Sequence, residues 1–358
     1  MSLTDDDVLA AGPGPGPSRT GPAPDGEPLL EVQDLRVRFS RAGRHVHAVN
    51  GLSYRLEPGR MLAIIGESGS GKSVSSRALM GLLPSTAAVT GSARFAGTEL
   101  VGMPEAQMRR RRGADIAMVF QDPARSLNPT MRIGTQVVEA VRAHSDMDRH
   151  AARRRAVELL SLVRLPVPEQ RFAEYPHQLS GGMRQRVMIA IALAGEPRLL
   201  IADEATTALD VTTQAQIMEL LVELQHRLGM AVIMISHDLG LAASYAQDVL
   251  VMYAGRGVEH ASAETLFAHV RMPYTRALLG AIPLLERESH ALLPVVPGQP
   301  PDLSALPVGC PFAPRCEFAD EECGENPPFA EQEPGHRWAC WHPVPDAVAD
   351  PAPRGDRS

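Results

Sequence analysis

The run Gly66-Glu67-Ser68-Gly69-Ser70-Gly71-Lys72-Ser73 follows the apolar stretch Leu62-Ala63-Ile64-Ile65 and opens a segment of helical character. Its glycines let consecutive backbone N–H groups converge on an anion without side-chain clash. A helix starting at Lys72 directs its positive dipole end at the same point. The spacing G-x-x-x-x-G-K-[ST] in a strand–loop–helix context is a phosphate loop. All eight residues are therefore candidate nucleotide-binding residues. Lys72 is placed to neutralise the β- and γ-phosphates of ATP, and the Ser73 hydroxyl to ligate Mg²⁺.

Such a loop needs a parallel sheet behind it, and two more apolar runs supply candidate strands, Leu199 to Ala202 and Ala231 to Ile235. Between them Ile217, Leu220, Leu221, Leu224 and Leu228 repeat at helical spacing. Strands alternating with helices predict an α/β core covered on both faces. Near the start, Leu30-Glu31-Val32 and Leu35 to Phe39 alternate as half-buried strands, with a hairpin-like break at Ser40 to Arg44. The fold expected is a P-loop NTPase core with an antiparallel β subdomain, a helical insertion and a small cysteine-containing extension. Its divisions are a disordered Pro/Gly-rich N-terminus (1–28), an ATP-binding domain (29–263, helical insertion about 122–182), the extension (264–342) and a disordered tail (343–358).

Asp203 and Glu204 close the strand from Leu199, at the sheet end where ligands gather. Asp203 suits a Mg²⁺ contact, and Glu204 is placed to act as general base on the attacking water. In Leu179-Ser180-Gly181-Gly182-Met183-Arg184-Gln185-Arg186, the serine and glycines open another helix and offer a second set of free N–H donors. One nucleotide does not need two such anion sites from one chain. Two chains packed head to tail would use both, with Ser180, Gly181, Gly182 and Gln185 acting in trans.

These motifs, with Gln121 in Val119-Phe120-Gln121-Asp122-Pro123, Asp210 in Ala208-Leu209-Asp210 and His237 in Ile235-Ser236-His237-Asp238, resemble the ATP-binding cassette family over about Leu29 to Ala263. The resemblance implies that Gln121 touches Mg²⁺ and the attacking water, that His237 contacts the γ-phosphate, and that Asp210 belongs to the D-loop. Phe39 is the candidate aromatic for stacking on adenine; a core phenylalanine is the alternative. Ala205 departs from the family, which usually has proline after the glutamate. Tyr175-Pro176-His177-Gln178, Ser126-Leu127-Asn128-Pro129, Pro273-Tyr274-Thr275-Arg276-Ala277-Leu278-Leu279 and Cys310-Pro311-Phe312-Ala313-Pro314-Arg315-Cys316 resemble the oligopeptide/dipeptide importer branch, although Met272 stands where that branch usually has histidine.

The resemblance implies an ATP-hydrolysing importer subunit with two transmembrane permease partners and a second ATPase, identical or related. An extracytoplasmic substrate-binding protein acts indirectly. Nickel, glutathione or another small solute is the alternative cargo. A soluble ATPase acting on ribosomes or DNA is the rival class.

Charge opposes that rival: the 358 residues carry a net charge of −7, which gives no field favouring nucleic acid. The arginine runs at 109–112 and 153–155 read as solvated helix faces, with contact to a partner or anionic lipid as the other reading. No stretch reaches 18 apolar residues, and the N-terminus lacks a signal-peptide pattern. The expected location is the cytoplasmic face of the cell membrane, held there by partners.

All four cysteines, Cys310, Cys316, Cys323 and Cys340, fall in the extension, which in a reducing compartment suggests metal rather than disulfides. Four thiolates fit zinc or an iron–sulfur cluster, and unliganded thiols are the third reading. The gaps are longer than zinc-ribbon knuckles. The importer-branch resemblance implies a [4Fe–4S] cluster, with Zn²⁺ as the alternative. The extension is expected to form a unit separate from the phosphate loop.

Overall fold

The computed structural model of the chain describes residues 27–41, 43–207, 209–281 and 296–345. The expectations for residues 1–26 and for the tail from 346 lie outside that range, as does Ala208 of the D-loop motif.

The chain opens in an antiparallel hairpin, β1 (Leu30–Arg41) and β2 (Arg44–Leu56). The two short strands read at the start of the sequence are one strand. Its register shifts between Val32 and Leu35, where Asp34 takes a φ of 47°, so the pleat bends without ending. β3 (Met61–Ile65) leaves for a second sheet and leads into α1 (Lys72–Leu79). β4 (Ala87–Phe95) and β5 (Thr98–Glu99) then return to the first, in the order β2-β1-β4-β5.

After α2 (Glu105–Arg111), β6 (Ile116–Val119) is the far edge of the second sheet. A helical segment follows: α3 (Pro123–Ser126), α4 (Ile133–Ala143), α5 (Arg149–Leu162), α6 (Pro168–Arg171) and α7 (Gly181–Ala192). It packs because Ile133, Val137 and Val141 bury one face of α4, and because Asp148 caps α5 by accepting from the N–H groups of His150 and Ala151. Such a cap contributes about 1 kcal/mol. β7 (Leu199–Asp203), α8 (Val211–Leu228), β8 (Ala231–Ser236), α9 (Leu239–Tyr245), β9 (Asp248–Tyr253) and β10 (Arg256–Ser262) complete the alternation. α8 begins at the Asp210 cap and ends at Gly229, whose φ of 62° continues no helix.

β9, β3, β8, β7 and β6 are parallel neighbours. All five residues of β3 are buried, and alternate ones serve different cores. Met61, Ala63 and Ile65 join the cluster that includes the helical segment; Leu62 and Ile64 join the cluster under the antiparallel sheet. Burial on both faces is why the strand reads as a continuous apolar run.

The chain continues through α10 (Ala263–Ala268) and α11 (Pro273–Gly280), and ends in β11 (Ala330–Glu333) and β12 (His336–Trp338). β12 pairs with β10, so the cysteine-bearing extension prolongs the main sheet. At that seam His336 Nε2 lies 3.0 Å from Glu259 Oε1, both side chains fully buried. Cys310, Phe312 and Cys323 belong to the main core cluster.

In the arginine run at 109–112, Arg109 and Arg110 are exposed, as a solvated helix face requires, whereas Arg111 and Arg112 are partly covered. Arg111 pairs with Asp115, and Arg112 donates to Glu105 and to the carbonyls of Met80 and Gly81, tying α2 to the end of α1. In the second run, Arg153 lies over the Phe172 ring, 4.2 Å from its centroid, and Arg155 pairs with Glu158 and Glu196. Among the described residues no helix is long and apolar enough to cross a membrane.

Candidate functional site at the carboxyl ends of the parallel strands

β3 delivers the glycine-rich loop to the carboxyl end of the sheet, and two glycines there cannot be replaced. A Cβ on Gly66 (φ 153°) would lie 2.2 Å from the Met252 carbonyl oxygen, and one on Gly71 (φ 99°) would lie 2.2 Å from that of Ala48. Gly71 is the N-cap of α1 and offers no side-chain hydrogen bond, so the first turn keeps its N–H donors for an anion. Ser70 is buried with its hydroxyl unpartnered.

Lys72 is nearly buried and donates to the carbonyls of Gly66 (2.6 Å) and Glu67 (2.9 Å). Burial lowers its pKa, while Glu204, Asp203 and Glu67 favour the charged form. Its ammonium is thus held inside the loop, where a phosphate would compete with the two carbonyls.

Ser73 Oγ donates to Asp203 Oδ1 at 2.6 Å. Asp203, the last residue of β7, is almost fully buried, and burial raises its pKa; Arg77, 3.6 Å from Oδ2, acts in the opposite sense. Oδ2 itself accepts no hydrogen bond. An oxygen donor set with an orphaned carboxylate oxygen fits Mg²⁺, which takes a few protein oxygens and keeps several waters.

Glu204 stands just past β7 at a φ of 48°, uncommon for a residue with a side chain and of the kind that collects at functional sites. Its N–H donates to the Ile235 carbonyl, and its carboxylate accepts from Gln121 Nε2 at 2.6 Å. Gln121 and Glu204, 83 positions apart, therefore meet. His237 is exposed immediately after β8, at the same end of the sheet. Ala205 is buried and makes no polar side-chain contact by its nature.

Ser180 is exposed and caps α7, its Oγ accepting from the Met183 N–H at 3.3 Å; Gly181 is exposed beside it. Gln185 does not accompany them. It is fully buried in the single chain, with both amide atoms unpartnered, and so is not presented to a second chain. α7 is buried nearly all round after its first turn, so polarity did not reveal which way Gln185 points. Asp210 is exposed and holds α8 by accepting from Thr213 N–H and Oγ1. Phe39 is half-buried against the core under the antiparallel sheet.

The four cysteines line one small cavity together with Met272, Phe312 and Trp341. The Cys310 N–H donates to the Cys323 carbonyl at 2.9 Å. Burial pushes the thiols of Cys310 and Cys316 up, and that of Cys340 up to about 12. Thiolates there need a cation to offset the cost of burial. Among the described residues, the group whose ligand atoms all lie within 4.8 Å of one another is Asp320, Cys323 and His342, which uses one thiol of the quartet. Four sulfurs on one zinc would lie about 3.8 Å apart, given a Zn–S distance of about 2.3 Å. Among the described residues no three of the four cysteine sulfurs lie that close together.

The extension is not separate from the phosphate loop. Tyr274 accepts from the Glu67 N–H at 2.9 Å, and Arg315 donates to both carboxylate oxygens of Glu67 at 2.7 and 3.0 Å. Arg77, Tyr274 and Arg315 were missed as site residues. The last two lie in motifs visible in the sequence, but nothing local names Glu67 as their partner.

The chain is similar to known transport proteins over most of its length. The family described as "ABC transporter" matches residues 49–207, and "Oligopeptide/dipeptide transporter, C-terminal region" matches residues 258–323. The oligopeptide transport ATP-binding protein OppD of Haemophilus influenzae is 50% identical over 314 residues, covering 88% of this chain and 97% of that protein. OppD of Mycobacterium tuberculosis is 51% identical over 315 residues, 87% of this chain and 52% of that protein, so the chain spans about half the length of that relative. A dimeric ATP-binding cassette in a post-hydrolysis state, bound to ADP and Pi, superposes with a TM-score of 0.60 at 26% identity, covering 66% of this chain and 99% of that one.

Proposed function

This chain belongs to the ATP-binding cassette transporter family, and from that premise we propose that it is the ATP-hydrolysing subunit energising uptake of oligopeptides across the cytoplasmic membrane. The carrying observation is the convergence of Ser73 on Asp203 and of Gln121 on Glu204 beside the phosphate loop. The peptide assignment is supported by the match of the extension and by about 50% identity to oligopeptide transport proteins.

The loop N–H groups and Lys72 bind the triphosphate, exchanging the Gly66 and Glu67 carbonyls for phosphate oxygens. Ser73 and Asp203 would hold Mg²⁺, which would supply positive charge against the phosphates. Gln121 orients the attacking water against Glu204, which takes its proton. His237 contacts the γ-phosphate from the neighbouring strand end. Phe39 stacks on adenine. Ser180, Gly181 and Gly182 face the nucleotide of a second ATPase, with Asp210 at the same interface. The helical segment passes closure to two transmembrane permeases, which hold the chain at the cytoplasmic face; an extracytoplasmic binding protein delivers the peptide.

In gentle detergent the chain should co-purify with two membrane-spanning proteins. A strain lacking it should lose uptake of labelled oligopeptides. Uptake of nickel lost instead, with peptide uptake intact, would transfer the assignment to another solute.

The trans geometry has its own test. Ser180→Arg should damage the site of the partner ATPase and leave nucleotide binding at its own loop intact. A Ser180→Cys crosslink confined to its own chain's phosphate loop would exclude the head-to-tail arrangement.

Cys310, Cys316, Cys323 and Cys340 would hold a [4Fe–4S] cluster that staples the extension. Anaerobically purified protein should then be brown with about four irons per chain. Each cysteine-to-serine substitution should bleach it. Colourless protein with one zinc would assign the site to zinc, and four titratable thiols without metal would leave it unliganded.

A further inference from the structure

The residues that mark the extension in sequence converge on one position of the phosphate loop. Arg315, 248 positions downstream of Glu67, grips that carboxylate with both arms of its guanidinium. Its side chain is only 4% exposed, against 24% for Glu67. The guanidinium is fixed by other contacts as well: Nε donates to the Pro297 carbonyl at 2.7 Å and Nη1 to the Tyr253 hydroxyl at 3.1 Å. Tyr274 takes the Glu67 N–H. The Glu67 carbonyl accepts from Lys72. Every polar group of Glu67 is therefore engaged, two by the extension and one by the lysine that meets phosphate.

We propose that Arg315 and Tyr274 are positioning residues for ATP, clamping Glu67 so that the cysteine-bearing extension sets the affinity of the phosphate loop for nucleotide. The inference rests on the ATP-binding reading of the loop and adds a control element to it. Two physical effects act together. Arg315 offsets a carboxylate that would otherwise repel an incoming triphosphate, and a bidentate pair fixes direction as well as charge. The clamp also holds the Gly66–Glu67 backbone, whose carbonyls compete with phosphate for the Lys72 ammonium.

The route from the cysteines is short and packed. Arg315 closes the turn Ala313–Arg315 and directly precedes Cys316. The rings of Tyr253, Tyr274 and Phe312 lie 4.5 to 5.4 Å apart between centroids, and Phe312 also lines the cysteine cavity. A rearrangement of the quartet would shift Phe312 and Arg315, and with them Glu67.

The test uses the full chain, with Mg-ATP binding followed by calorimetry and turnover by steady-state kinetics. The parent chain should bind ATP and Lys72→Ala should not; failure of both controls would sink the ATP reading itself. With the controls satisfied, Arg315→Ala should weaken ATP binding about tenfold or more, as expected for stranding one member of a hydrogen-bonded charge pair. Tyr274→Phe, which deletes one hydroxyl, should weaken it about threefold to tenfold. The loss should fall on KM more than on kcat. Neutralising both charges, with Glu67→Gln and Arg315→Gln together, should restore affinity to within about threefold of the parent. Affinities within about twofold of the parent for both Arg315→Ala and Tyr274→Phe would overturn the proposal, as would a fall in kcat at unchanged KM. Should Arg315→Ala fail to fold, Tyr274→Phe and the doubly neutral variant decide alone.

Discussion

Replacing Glu204 by glutamine is expected to lower ATP turnover by roughly 10²- to 10⁴-fold while leaving nucleotide binding intact, because the general base is lost and the phosphate cradle is not touched. The glutamine keeps the shape of the side chain and can still meet Gln121, whose Nε2 now donates to the carboxylate at 2.6 Å. What disappears is the capacity to accept the proton of the attacking water. The unusual φ of 48° at this position belongs to the backbone and should survive the change. The variant should therefore accumulate an ATP-bound closed dimer, visible as a stable species of doubled mass in the presence of ATP. Turnover within about tenfold of the parent in the assembled complex would remove Glu204 from the role.

Lys72→Ala is expected to act one step earlier. The ammonium lies in a nearly buried setting between the Gly66 and Glu67 carbonyls and close to three carboxylates, Glu204, Asp203 and Glu67. Removing the cation leaves those carboxylates facing an incoming triphosphate with less compensation, so binding itself should be lost. Calorimetry should show no resolvable ATP affinity up to millimolar nucleotide. An affinity equal to the parent's would show that the loop does not carry the phosphates. The two variants separate binding from chemistry, since one abolishes affinity and the other retains it.

The catalytic half of the site was legible because each of its parts is announced locally. The loop needs glycines at Gly66 and Gly71 where a Cβ would strike the Met252 and Ala48 carbonyls, and such positions show in any sequence. β3 and β7 are short and buried on both faces, so they appear as unbroken apolar runs whose ends mark where Ser73 and Asp203 will stand. The contact of Gln121 with Glu204 was not legible, because their separation of 83 positions carries no local signal.

Other features were misread for stated reasons. Gln185 looked like part of an exposed turn because its neighbours Ser180 and Gly181 are exposed, yet one turn later α7 is enclosed on nearly every side. Arg112, at the end of the arginine run at 109–112, looked solvated because two of its acceptors, the Met80 and Gly81 carbonyls, are backbone atoms that no sequence pattern displays.

By itself, then, the sequence determined the parallel α/β core, the phosphate loop, the carboxylates at the end of β7 and the presence of a cysteine-bearing extension. Each of these follows from the period of apolar residues or from the stereochemistry of one short segment. Only the tertiary structure decided where the extension sits. β12 adds to the edge of the main sheet through β10, the cysteines gather around one cavity, and Arg315 and Tyr274 close on Glu67. Those contacts depend on strand order and side-chain packing between segments far apart in the chain, up to the separation of 248 between Arg315 and Glu67. A residue type can announce a charge or a hydrogen bond, but the partner is selected by the fold.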